Sequence, residues 1–149
     1  MTNLRLHVLA AALLAGGCET SDDPGTDAGA SVSCLAAESH SDFTWLEANI
    51  FQPSCGAFSA CHKGAATDAL GLNLEAGLAY DSLVGQPSLA QPGRQLVAAG
   101  DPAGSYLLVA LGHRAGPLPP GGTMPLNNPL LCEPKLEAVE RWIAAGAAR

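Results

Sequence analysis

Two cysteines and a histidine lie within one short stretch, Pro53-Ser54-Cys55-Gly56-Ala57-Phe58-Ser59-Ala60-Cys61-His62. The adjacent Cys61-His62 pair suits covalent haem attachment, in which a thiol bonds to a haem vinyl group and the next residue's imidazole binds the iron. Cys55 would supply the second thioether. About sixty residues later, Gly121-Gly122-Thr123-Met124-Pro125 offers a thioether sulfur on a Gly/Pro-rich loop, suited to be the sixth ligand. A His62/Met124 pair would make the iron six-coordinate and raise its potential. His113 on the same Gly/Pro-rich stretch is the alternative to Met124, and His40 a more remote one; bis-histidine ligation would lower the potential relative to His/Met.

Further elements stand around these residues in order. They are Gly71-Leu72-Asn73-Leu74, the turn Gly100-Asp101-Pro102-Ala103-Gly104-Ser105-Tyr106-Leu107, Met124-Pro125, and the closing Glu140-Arg141-Trp142-Ile143-Ala144-Ala145-Gly146-Ala147. With Cys61-His62, this series resembles the cytochrome c family, in particular the compact c-type modules of secreted bacterial proteins. The resemblance covers roughly Ser41 to Ala148. It implies an all-α fold, one covalent haem c per chain, thioethers at Cys55 and Cys61, and axial ligands at His62 and Met124. The chain departs from the family in having five residues between its cysteines where the family has two.

Cysteines three apart sit about one helical turn apart and point both sulfurs at one haem edge. A separation of six spans about nine ångströms of helix at 1.5 Å per residue, so Cys55 must lie on a loop folded back toward Cys61. Pro53 and Gly56 permit such a loop. The competing reading is a Cys55–Cys61 disulfide in a haemless version of the fold, with His62 merely following it. Zinc on Cys55, Cys61 and His62 lacks a second cluster at ligand spacing to complete four ligands. Met124 also has a plainer reading, as a core gap-filler.

The chain begins with an apolar run, Val8-Leu9-Ala10-Ala11-Ala12-Leu13-Leu14-Ala15, too short to span a membrane and suited to a signal-peptide core. Residues 1–17 therefore read as an export signal. Leu14-Ala15-Gly16-Gly17-Cys18 resembles a bacterial lipoprotein box, which implies lipidation of Cys18. Residues 18–33 read as an acidic, disordered tether without large apolar side chains. Loss of Arg5 with the leader leaves six basic against fourteen acidic side chains. Such a chain lacks the basic patch that nucleic acid requires.

Residues 34–149 make one domain. Phe43, Leu46 and Ile50 share helical spacing behind a cap at Ser41 or Asp42. Residues 75–84 and 105–111 are short helical candidates, the second capped by Ser105 or Asp101 and apolar nearly all round. Leu70, Leu72 and Leu74 alternate, as extended chain beside the haem edge. Gly112 to Pro129 form an irregular loop that presents Met124. The last helix has Pro134 in its first turn and an apolar face of Leu136, Val139 and Ile143. The family resemblance implies that the first of these helices crosses the last, bringing Trp45 or Phe51 toward Trp142.

Removing Cys18 leaves four cysteines, which allow three pairings. The haem reading implies Cys34–Cys132, flanking the domain; the haemless reading most simply adds Cys55–Cys61. Two function classes follow. One is an electron-transfer protein, periplasmic or anchored to the outer membrane by lipid, with a redox partner in the envelope. The other is a haemless, disulfide-stapled cytochrome c-like domain with a binding or structural role. No nucleophile elbow or phosphate loop argues for an enzyme, although a five-coordinate haem would permit gas binding or peroxidase chemistry.

Overall fold

The fold is known from a computed structural model that describes residues 31–59, 61–64 and 69–149. The expected leader, Cys18 and most of the expected tether lie outside the described residues. At the tether's far end the chain is already helical: α1 is Val32–Ala37, and the Ser31 hydroxyl accepts the Cys34 N–H at 3.3 Å. Helix is thus present ahead of Cys34, with Ser31 supplying its cap.

Asp42 starts the next helical stretch, its carboxylate accepting the Trp45 N–H at 2.9 Å. That stretch runs through α2 (Phe43–Leu46), a π-helical turn (Glu47–Phe51) and α3 (Gln52–Ser54). Pro53 has no N–H to offer the Asn49 carbonyl one turn back. The Lys135 ammonium, reaching from the last helix, donates to that carbonyl at 3.1 Å instead. The proline that delivers the chain to the cysteine loop is thereby tied to the opposite end of the sequence.

Two short helices follow, α4 (Ala79–Leu83) and α5 (Tyr106–Ala110), and the chain closes with α6 (Glu133–Ala144). Both short candidates shrink relative to expectation. Gly77 adopts a φ of +81°, a left-handed conformation that holds the start of α4 back to Ala79. Neither expected side chain caps α5: Ser105 Oγ bonds the Ala98 amide (2.9 Å) and the Asp101 carbonyl (2.8 Å), while Asp101 accepts the Gly104 N–H (2.9 Å). Those polar groups organise the turn ahead of the helix. The described residues are all-α, with β-pairing limited to isolated bridges such as Val84 with Val97. None of their helices is long and apolar enough to cross a membrane.

The core forms where α2 and the π turn meet α6. Leu136, Val139, Trp142 and Ile143 are buried, as the spacing requires. The Trp142 ring lies 5.4 Å from Phe43 and 6.1 Å from Phe51. Trp45 instead stacks flat on His40 at 4.5 Å. A disulfide joins Cys34 to Cys132 across 98 residues, stapling α1 to the start of α6. Arg141 adds donors to the carbonyls of Ala37 (2.7 Å) and His40 (3.0 Å). These contacts leave the other side of the molecule to a cavity.

Candidate functional site

Cys55 ends the helical stretch, its N–H bonded to the Phe51 carbonyl at 3.0 Å. The chain then leaves on an excursion and comes back: His62 N–H donates to the Cys55 carbonyl at 3.0 Å. The extra residues between the cysteines are accommodated outward, with Phe58 69% exposed. Gly56 is required at the root of this loop, because a Cβ there would collide with the Leu74 carbonyl. Leu74 N–H in turn donates to the His62 carbonyl at 2.7 Å. The folded-back loop demanded by the six-residue spacing is therefore present.

Cys55, Cys61, His62 and Met124 all line one cavity of about 790 Å³. That size lies inside the roughly 300–1,000 Å³ range of small-molecule and cofactor sites. Leu70, Leu72 and Leu74 line it, although the expected extended chain fails at Leu70, which sits in a turn at a φ of +54°, and Leu107, Ala110 and Leu111 of α5 and the turn after it line it as well. Phe58 and Leu89, 67% exposed, stand at its mouth. The lining is largely apolar, so polar atoms within it carry information.

Cys55 and Cys61 are free thiols, so the Cys55–Cys61 bridge of the haemless reading is not formed. Burial, helped by neighbouring Cys61, pushes the Cys55 thiol up to about 12. His62 Nδ1 lies 3.3 Å from the Leu72 carbonyl oxygen. With the proton assigned to Nδ1 as donor, Nε2 keeps its lone pair for a ligand. Burial lowers the His62 pKa, opposed by that carbonyl, and so favours the neutral imidazole a metal needs. Met124 arrives from the opposite side of the sequence, its N–H donating to the Ala110 carbonyl at 2.8 Å.

The other two candidate histidines stand elsewhere. His113 does not line the cavity; its Nε2 lies 2.6 Å from Glu140 and its Nδ1 3.4 Å from Glu133, both on α6. His40 is paired with Asp42 and covered by Trp45. Among the described residues, no group of three or more His, Cys, Asp or Glu side chains is placed to hold a metal ion by itself.

No family model, curated protein or solved structure matches this chain. Its functional reading must come from the geometry.

Several site residues escaped sequence reasoning. Glu75 accepts the Gly64 N–H at 3.0 Å and the Asn73 amide at 3.1 Å, fastening the chain that follows His62. The Gly64 bond is the main cause of its lowered pKa. Tyr106 is 2% exposed and lines the cavity, and its hydroxyl is the buried side-chain polar atom left without a partner among the described residues. Leaving such a group unpaired costs about 1–3 kcal/mol. Its aromatic identity in an apolar helix was visible in the sequence, but not the direction of its hydroxyl.

Proposed function

We propose that this chain is a c-type haem protein of the bacterial cell envelope that transfers electrons. What carries the reading is the convergence of two free thiols, an imidazole and a thioether sulfur, from Cys55, Cys61, His62 and Met124, on one apolar cavity. On this reading the all-α fold is a small cytochrome c-like domain. The donor set fits the group: thiols for vinyl addition, a neutral nitrogen with its other ring atom already committed, and a soft sulfur lining the same cavity. The unpartnered Tyr106 hydroxyl would be relieved by an acceptor on the bound group.

When bound, the haem supplies an iron that cycles between ferric and ferrous states without substrate chemistry. The chain's residues hold and tune it. Cys55 and Cys61 would hold the group covalently, each free thiol adding its S–H across a vinyl double bond so that no external oxidant would be consumed. His62 and Met124 would hold the iron, and Leu72, Leu107 and Leu111, which line the same cavity, would exclude water and keep the local dielectric low. The chain is then an electron carrier and not an enzyme. Export under the residue 1–17 leader, with lipid on Cys18, would place it in the periplasm or at the outer membrane. Its acidic balance suits a redox partner with a basic docking face and argues against nucleic acid.

Expression in a host with a cytochrome c maturation system, followed by intact-mass measurement, tests this directly. The polypeptide should gain the mass of one haem, and the Cys55→Ala/Cys61→Ala pair should gain none. A folded wild type with no added mass overturns the reading and leaves the haemless envelope domain.

A further inference from the structure

Met124 sits on a long irregular segment with no helix of its own, yet its position relative to His62 must be held if its sulfur is to stay on the iron. The contacts that hold it lead to α6, chiefly to one residue there, with a longer contact from His113 Nδ1 to Glu133 at 3.4 Å. Met124 N–H donates to Ala110 at the end of α5, and the next turn after α5 is locked by His113 and Arg114 N–H groups donating to Leu108 at 2.9 and 3.1 Å. Gly112, at a φ of +77°, lets Thr123 pack directly against that turn; a Cβ there would come within 2.8 Å of the threonine methyl. Residues 110–114 and 123–124 thus form one unit. What seats that unit on α6 is the Glu140 carboxylate, which accepts from His113 Nε2 on one oxygen and from Arg114 Nη2 on the other.

We infer that Glu140 is the positioning residue for the sixth ligand: by gripping His113 and Arg114 it holds the Met124 segment at the cavity. The inference rests on the haem reading above. Glu140 is half-buried, and burial pushes its carboxyl up, but the hydrogen bonds from His113 and Arg114 outweigh that and leave it below the ordinary glutamate range. A charged acceptor shared by two donors is stronger than a neutral one, which suits an anchor. Glu137, one turn earlier on the same helix, meets only Arg141 among the described residues, at 3.7 Å, and serves as a control.

The test uses the haem-loaded wild type, Glu140→Gln, Arg114→Ala and Glu137→Gln. The readouts are the near-infrared band of methionine-ligated ferric haem, the midpoint potential, and the far-ultraviolet circular dichroism. Glu140→Gln should keep its haem and helix content but lose the methionine band and fall in potential; Arg114→Ala should do so in part, and Glu137→Gln not at all. If Glu140→Gln does not fold, Arg114→Ala decides alone. Retention of the full band in every folded variant overturns the positioning role while leaving haem binding intact. A wild type that takes up no haem removes both.

Discussion

The two ends of the domain are held in contrasting ways. The Trp142 side is a helix crossing, built from apolar side chains at helical spacing and stapled by Cys34–Cys132. The Met124 side is irregular chain, held by backbone bonds to Ala110 and Leu108 and by the Glu140 cluster. Burial is non-directional and tolerates small shifts, whereas a hydrogen-bonded loop has its geometry set atom by atom. The frame therefore carries stability, and the loops carry placement. The proposed haem site, which would need a sulfur and a nitrogen at fixed distances from one iron, would use both.

Substitutions that separate stability from placement sharpen this contrast. The largest effect belongs to the staple. Cys34→Ala/Cys132→Ala should cost about 4–5 kcal/mol on the chain-entropy scale for a loop of this length, read as a fall in the urea midpoint. Reduction of the wild type with dithiothreitol should reproduce that fall. Trp142→Ala comes next, at about 3–5 kcal/mol for a fully buried indole. Thermal unfolding should show it, and a loss below 1 kcal/mol would mean that the helix crossing is not the stabilising centre.

Smaller effects probe the ties between frame and loop. Lys135→Met removes the donor that replaces the missing Pro53 N–H and leaves the Asn49 carbonyl short of a partner, at about 1–3 kcal/mol. Hydrogen exchange at 52–56 should rise along with it. Glu75 gives the smallest change and a pH signature. Its folded pKa lies below the ordinary 4.5, so the unfolded chain binds the proton more readily. Its contribution is present above about pH 4.5 and is lost as pH falls through the lowered value. In Glu75→Gln this part of the acid limb should flatten, and an unchanged pH–stability curve would contradict the Gly64 and Asn73 contacts.

Much of the frame was legible because it rests on periodicity. Leu136, Val139 and Ile143 announce α6, and Phe43, Leu46 and Ile50 announce the stretch it crosses. The loop bearing Met124 was also readable, from glycine and proline content, whereas the alternation of Leu70, Leu72 and Leu74 misled at Leu70, which turns at a φ of +54°. What was hidden depends on partners far apart in the chain. The Lys135 bond to Asn49 spans 86 residues and the His113 bond to Glu140 spans 27, with no local pattern to mark either. His113 looked like a candidate ligand because residue type alone does not show which way an imidazole turns. The helix α1 was hidden for another reason, being too short to display an apolar stripe.

The central claim is that Cys55, Cys61 and His62 together hold a covalent haem. The most direct measurement is a pyridine haemochrome spectrum of the exported protein after acid-acetone extraction, which strips haem that is not covalently bound. The account predicts that the α-band stays with the polypeptide and lies where two thioethers place it. A folded protein that loses all its colour to the acetone, or never acquires any, with Cys55 joined to Cys61 by mass spectrometry, would contradict it.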